Sequence, residues 1–409
     1  MLALKGGVPE LTEGEDSFAW PPVSGAQLIQ ISNGISDGLN RGQVSSAIQA
    51  FEKRLTEFFD KRFALSFNSC TSALHSAFLA MDIQPGDEVI VPALTFFGTV
   101  TPLLHLGARP IAIDCDQRGQ MDLDQVVRSI SSKTRAIVVT HMWGYATDVW
   151  SILEVCERHS IPIVEDIAHS PGARLRGQLL GTAGATAVCS LHGEKTLSCG
   201  EGGFLISDSK AVFDGALFRS NYNRRTRYET EEDYIFSEFS LTGYGIKQKI
   251  NPIGAMIATQ QLENLDVIVR KRAEYTFRLT EATKRFPFLK AIELLPSEKP
   301  SWHSLILLYD DSYYPTVPRN LLIKALKAEG LSRVDSPGAN RPLSFVPLFR
   351  NPRPMFPNAE FSFSPGDFPK AEGLWSKMIQ IALPGSEWEG VDGVERALIK
   401  VFEHIEDLA

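Results

Sequence analysis

Residues 185–207 read ATAVCSLHGEKTLSCGEGGFLIS, and this stretch decides the fold. Two apolar runs, ATAVCSL (185–191) and GFLIS (203–207), have the length and composition of buried strands. The glycine-dense turn Gly200-Glu201-Gly202-Gly203 lets the chain double back tightly between them. Inside that loop stands Lys195. A surface lysine needs no such setting, whereas a partly desolvated amine has a lowered pKa and can form a Schiff base. On this stretch alone, a solvated loop lysine is the alternative.

Working outward, short β-branched runs alternate with helical patterns from residue 63 onward. The strands are FALSF (63–67), EVIV (88–91), RPIAI (109–113), RAIVVT (135–140) and IPIVE (161–165). Segments 70–82 and 148–159 carry apolar residues at helical spacing and read as crossover helices. The pattern predicts an α/β fold with a mostly parallel central sheet. After about residue 208 the grammar changes. The charged stretch NYNRRTRYETEED (221–233) reads as an exposed loop, with Arg224, Arg225 and Arg227 as alternative contacts for a nucleotide diphosphate. Residues 251–286 read as one long helix or two, of the kind that connects a large domain to a smaller one, and VERALIKVFEHIEDL (394–408) as a closing helix. The expected organisation is an N-terminal arm (1–25), a large domain (26–265), and a linking helix with a small C-terminal α+β domain (266–409).

The chain has 409 residues, 44% apolar, and a net charge of −8, so it can bury a large core and repels phosphate backbones. Nucleic acid and anionic membranes are therefore disfavoured as partners, while a local pocket for a small anion is allowed. Five scattered cysteines without a CxxC pair fit a reducing, cytoplasmic setting and argue against zinc. Asp114-Cys115-Asp116 imitates the start of a calcium loop, but Arg118 and Gln125 stand where oxygen ligands are required, so no metal is expected. The N-terminus shows no signal peptide. Val89–Ala108 is 20 residues without a formal charge, but Pro92, Pro102, Gly98 and Gly107 make it a buried strand, a turn and a helix rather than a membrane span.

Three more features fall at strand ends. Strand 63–67 runs into Asn68-Ser69-Cys70-Thr71-Ser72 and a helix, so the N–H groups of Cys70 and Thr71 are placed to bind a phosphate; simple capping by Ser69 or Thr71 is the other reading. Strand IPIVE delivers Glu165 and Asp166, followed by His169, to the edge where open α/β sheets bind ligands, or else a carboxylate caps the next segment. Pro92–Gly98 places Phe96 and Phe97 at the same edge, as core or as a ring platform. There is no G-x-G-x-x-G, P-loop or H-E-x-x-H.

In this order, the phosphate turn, the aromatic after a strand, the strand-end Asp and the Lys before GEGG resemble the pyridoxal-phosphate enzymes of fold type I. More narrowly the chain resembles the DegT and StrS group of sugar and cyclitol aminotransferases, through GDEVIVPALTF (86–96), VEDIAHSPGA (164–173) and Ser190 to Gly203. The resemblance spans roughly residues 40–290 and continues more loosely through RPLSFVPLF (341–349) and FPKAE (368–372). It implies that Lys195 forms the Schiff base with pyridoxal 5'-phosphate and shuttles the proton, and that Asp166 pairs with the pyridinium nitrogen. Phe96 would stack on the ring and His169 lie near its hydroxyl edge, with Ser190 and the backbone of Cys70 and Thr71 holding the phosphate. Two positions depart from the pattern. Cys70 replaces a common glycine, which is tolerable only if that backbone avoids positive φ. Lys247 stands where relatives place an Asn that reaches the neighbouring subunit's phosphate.

The implied activity is transfer of an amino group from glutamate or glutamine to a keto sugar or keto-cyclitol, by a cytoplasmic homodimer with shared active sites. A non-catalytic relative acting as a partner protein, or another pyridoxal reaction on the same scaffold, are the alternatives.

Overall fold

The computed structural model of the chain describes residues 1–18, 20–36, 39, 44–230 and 234–409. The central sheet consists of β1 (Phe63–Phe67), β2 (Glu88–Pro92), β3 (Arg109–Ile113), β4 (Thr134–Thr140), β5 (Ile163–Asp166), β6 (Thr186–Ser190) and β7 (Gly203–Ser207). Their spatial order is β1-β7-β6-β5-β4-β2-β3. β7 runs antiparallel to both its neighbours, and the other pairings are parallel.

Both faces of the sheet are covered, which is why its strands read as apolar runs rather than as alternating ones. Leu65, Val89, Val91, Val138, Val164, Val188 and Leu205 pack on one side with helices Cys70–Ala80 and Lys210–Ser220. Their chain neighbours Ala64, Ala187, Cys189, Phe204 and Ile206 face the opposite side, against helices Ser46–Phe59 and Pro252–Glu263. This strict alternation fixes which strand residues reach the core and which reach the edge. Because all strands but β7 point the same way, the residues after β1, β2, β4, β5 and β6 gather at one carboxyl edge.

A second sheet is formed by β8 (Leu289–Ala291), β9 (Ser304–Tyr309), β10 (Val334–Asp335) and β11 (Met378–Ala382), in the order β8-β9-β11-β10, all antiparallel. Helix Val391–Glu403 covers it with Val394, Leu398, Val401 and Phe402, spaced as one helical stripe. Leu2 and Leu11 from the chain's start are buried in this same core. The 251–286 stretch is two helices, Pro252–Glu263 and Leu265–Thr283. The uncharged window forms β2, the short strand Leu94–Phe96 and helix Thr101–His105. Among the described residues, no helix is long and apolar enough to cross a membrane.

The charged stretch 221–233 differs from the expected exposed loop. Arg224–Tyr228 is helical, and Arg225 is buried. Its guanidinium donates to both carboxylate oxygens of Glu52, at 3.0 and 2.9 Å, and to Glu229 at 2.7 Å. Glu52 in turn accepts from the Ser66 N–H and hydroxyl, each at 2.8 Å. Two carboxylates in fork geometry compensate the desolvated cation, so Arg225 is spent on the fold and is not available to a nucleotide. Residues 231–233 of that stretch lie outside the described residues.

Candidate active site

The turn after β1 does two jobs at once. The Ser69 hydroxyl accepts from the Ser72 N–H at 3.1 Å and caps helix Cys70–Ala80. The N–H groups of Cys70 and Thr71 make no backbone or side-chain hydrogen bond among the described residues. Capping therefore leaves two helix-terminal donors for an anion. Cys70 does not take a positive φ, so its side chain costs nothing where a glycine is common.

Strand β5 separates its two carboxylates by alternation. Glu165 points away from the edge and is spent structurally: its two oxygens accept from the Gly181 and Gly184 N–H groups, each at 2.9 Å, and one lies 3.3 Å from His141 Nε2. Asp166 reaches the edge. Its Oδ1 accepts from the Ala168 N–H at 3.0 Å and its Oδ2 from the Thr99 hydroxyl at 2.9 Å. Burial pushes the Asp166 carboxyl up from the ordinary carboxylate range, against these hydrogen bonds and the charges of Lys195 and His141. Although buried, Asp166 forms no ion pair within 4.0 Å among the described residues.

The Lys195 loop is fixed at several points. Leu191 N–H donates to Gly202 O, and Cys199 N–H to Leu191 O, both at 2.9 Å. The Trp20 indole N–H donates to Lys195 O at 3.1 Å. Gly200 supplies the turn with φ +92°, whereas Gly203 supplies space: a Cβ there would lie 2.4 Å from Cys70 N and 2.5 Å from Ser69 C. The second pair of the GEGG run thus brings β7 against the turn after β1. Burial pulls the Lys195 ammonium below its ordinary range, opposed by Asp166 and by the thiols of Cys70 and Cys189.

Ser69, Cys70, Thr71, Phe96, Asp166, His169, Ser190 and Lys195 all line one cavity of about 410 Å³. Phe96 is half-buried, with Lys195 Nζ 5.9 Å from its ring centroid. Gly98 makes room for that ring, since a Cβ at Gly98 would approach it to 2.6 Å. His169 is buried, and its Nδ1 accepts from the Trp143 N–H at 3.2 Å, which leaves the proton on Nε2. Burial, Lys195 and His303 hold this ring well below the usual imidazole range, so it is neutral. Lys247 is exposed and does not line the cavity.

The cavity also contains residues that the sequence reading did not single out: Thr99, His141, His303, Asn340 and Gln380. His141 directly follows strand β4, so the strand-end rule that finds Asp166 applies to it equally. The last three come from the C-terminal half, where no local motif marks them.

Taken together, the cavity offers two N–H donors for an anion, a buried carboxylate lacking a cation, an aromatic face, and an amine of lowered basicity. That set can hold a phosphorylated, electron-deficient ring and bind its carbonyl through Lys195.

The sequence matches the model of the DegT/DnrJ/EryC1/StrS aminotransferase family over residues 32–383. It is 28% identical over 385 residues to the spore coat polysaccharide biosynthesis protein SpsC of Bacillus subtilis, covering 92% of this chain and 95% of that protein. Among solved structures, it resembles Helicobacter pylori PseC, an aminotransferase of pseudoaminic acid biosynthesis, with a TM-score of 0.81 at 22% identity over 95% of this chain and 99% of that one. The PLP form of the putative sugar aminotransferase Spr1654 from Streptococcus pneumoniae gives a TM-score of 0.80 at 21% identity, again over 95% and 99% of the two chains. At these identities the structural likeness establishes the fold, fold type I, as the motif order implied. The family match and the shared fold make this chain a member of the DegT/DnrJ/EryC1/StrS family and a PLP-dependent aminotransferase.

Proposed function

We propose that the chain transfers an amino group from glutamate or glutamine to the carbonyl of a keto sugar, nucleotide-linked, or of a keto-cyclitol, in the cytoplasm. The observation that carries this reading is the pairing in one cavity of a buried Lys195 with a buried Asp166 that lacks a cationic partner. Pyridoxal 5'-phosphate fits that arrangement, because a protonated ring nitrogen is the partner Asp166 lacks and the free Cys70 and Thr71 N–H groups suit a phosphate. When bound, the cofactor supplies an electron sink for the carbon that loses and regains a proton.

The protein's own residues do the rest. Lys195 carries the cofactor and, once released from it, moves the proton at the reacting carbon; burial keeps its amine accessible in the neutral form. Asp166 stabilises positive charge at the ring nitrogen, oriented by Thr99 and Ala168. Phe96 would cover one face of the ring, His169 would lie near its hydroxyl edge, and Ser190 would join the phosphate donors.

We also propose the division into arm (1–25), large domain (26–265) and small domain (266–409), and a homodimer with shared sites. Apolar side chains of Tyr222, Tyr228, Ile235, Phe239, Leu241 and Tyr244 are exposed within one segment, which supports a second copy as their cover. Lys247, exposed just beyond that segment, would reach the phosphate of the second copy. The test is product analysis with glutamate or glutamine and a panel of nucleoside-diphosphate keto-hexoses, free keto sugars and keto-inositols. Amination of at least one is expected, and amination of none would overturn the acceptor assignment.

A further inference from the structure

The residues singled out for the cofactor come from one part of the chain, yet the cavity has a second wall made by His303, Asn340 and Gln380. The backbone that delivers His303 is built for the purpose. Segment 301–303 runs along 143–144: the Ser301 N–H donates to Gly144 O at 3.1 Å and the His303 N–H to Trp143 O at 3.0 Å. Trp143 and Trp302 both adopt left-handed φ, 56° and 54°, which bulky residues avoid unless surrounding structure imposes it. Gly144 has φ +94°, and a Cβ there would lie 2.7 Å from Trp302 N and 2.8 Å from His303 N, so the close approach requires glycine.

The result is that the imidazoles of His303 and His169 stack, with centroids 4.2 Å apart and planes 10° from parallel. Arg272 locks the position by donating to the carbonyl oxygens of Trp302 and His303, at 3.1 and 3.2 Å, and to the Thr196 hydroxyl at 3.0 Å. It thereby ties the second wall to the Lys195 loop.

This wall is under-satisfied within the protein. Among the described residues, Nδ1 of His303 and Oδ1 of Asn340 are buried without a hydrogen-bond partner. The ring of His303 makes no hydrogen bond at all among the described residues, and Gln380 uses its Nε2 on the Ser304 hydroxyl at 2.9 Å, leaving Oε1 unused. Burial and the charges of Lys195 and Arg272 hold His303 well below the ordinary imidazole range, so the ring is neutral, with one donor and one acceptor nitrogen. A carboxylate offers only acceptors and would leave the Gln380 oxygen unmatched. A pair of hydroxyls, each both donor and acceptor, complements a wall of imidazole and amides.

We propose that His303, Asn340 and Gln380 form the specificity-determining wall that binds the hydroxyl groups of the keto acceptor, with Arg272 as its positioning residue. The proposal rests on the reading of a sugar or cyclitol as acceptor. It predicts an effect confined to the acceptor half of the reaction.

The experiment uses the cofactor-loaded full chain and His303→Phe, which keeps a ring to stack but no polar atom, with His303→Gln as the conservative rescue. Binding of a nucleoside-diphosphate hexose without a keto group is measured by calorimetry, and KM is measured for a nucleoside-diphosphate keto-hexose and for keto-inositol. The donor half-reaction is followed by the visible spectral change on adding glutamate. His303→Phe should weaken sugar binding and raise the acceptor KM about ten-fold, with the donor half-reaction changed by less than about two-fold and His303→Gln recovering most of the loss. Equal slowing of both halves, or unchanged sugar binding, would overturn the proposal. Should His303→Phe not fold, Gln380→Leu is expected to give the same split and overturns the proposal if it does not. A wild type that runs the donor half-reaction but binds neither sugar nor cyclitol would instead overturn the acceptor reading, and this proposal with it.

Discussion

The Thr99 hydroxyl donates to Oδ2 of Asp166 at 2.9 Å, while the Ala168 N–H takes Oδ1 at 3.0 Å, so a carboxylate with no cation beside it is held rigidly at the end of β5. A group fixed this way is pre-organised for a positive partner and costly without one. Because burial raises the Asp166 pKa in the folded protein, its contribution to stability is fully present below the unfolded value and is lost as pH rises through the folded value. Asp166→Asn should therefore raise the melting temperature of the cofactor-free protein at pH 7 by about 2–4 °C while cutting transamination by at least about a hundred-fold. Scanning fluorimetry and a coupled assay check the two halves of this statement.

Gly203 and Gly200 belong to one motif but do different work. Gly203→Ala places a Cβ against the backbone of Ser69 and Cys70, so the turn proposed to hold the phosphate must move. Gly200 has open space around it and only its positive φ to lose. Cofactor retained after dialysis should fall at least about ten-fold in Gly203→Ala, and Gly200→Ala should cost about 1 kcal/mol of stability with the cofactor retained.

His169 and His303 are both held well below the ordinary imidazole range by burial and by Lys195. Groups depressed in this way give stability that is present above the unfolded value and lost as pH falls through the folded one. The melting temperature should therefore drop as pH is lowered from about 6.5 towards 4, and His303→Gln should flatten that slope. An equally steep slope in the variant would contradict the neutral, buried assignment.

Arg225 is paired to Glu52 and Glu229 rather than offered to solvent. Glu52→Gln leaves the Arg225 charge compensated by Glu229 but gives up the buried charge-assisted fork to Glu52, so it should destabilise the protein by about 2 kcal/mol in urea unfolding. The KM ratio between nucleotide-linked and free acceptors should stay unchanged. A selective loss for nucleotide-linked acceptors would return Arg225 to the substrate.

The strands of the central sheet are legible in the sequence because each is buried on both faces and so appears as an uninterrupted apolar run, as in FALSF and GFLIS. The antiparallel direction of Gly203–Ser207 is legible only through the GEGG turn that lets the chain double back, and not from the strand's own residues. Lys195, Asp166 and Phe96 are legible as candidates because strand ends in a parallel sheet converge on one edge. His303, Asn340 and Gln380 are isolated polar residues beside ordinary strands. They reach the cavity only through tertiary pairings such as Ser304 with Ala382 and Asn340 with Phe96, which leave no local trace. Arg225 misleads for the opposite reason: a run of arginines looks solvated, and its partner Glu52 is distant in the chain.

The central claim is that Lys195 carries the cofactor in the cavity shared with Asp166. The most direct measurement is the visible absorption spectrum of the purified, pyridoxal-phosphate-loaded protein beside Lys195→Ala, each followed by borohydride reduction and peptide mapping. The account predicts a visible band that shifts on adding glutamate or glutamine, a reduced adduct on the peptide containing Lys195, and neither in Lys195→Ala. A wild-type protein without such a band, or an adduct on another lysine, would contradict it.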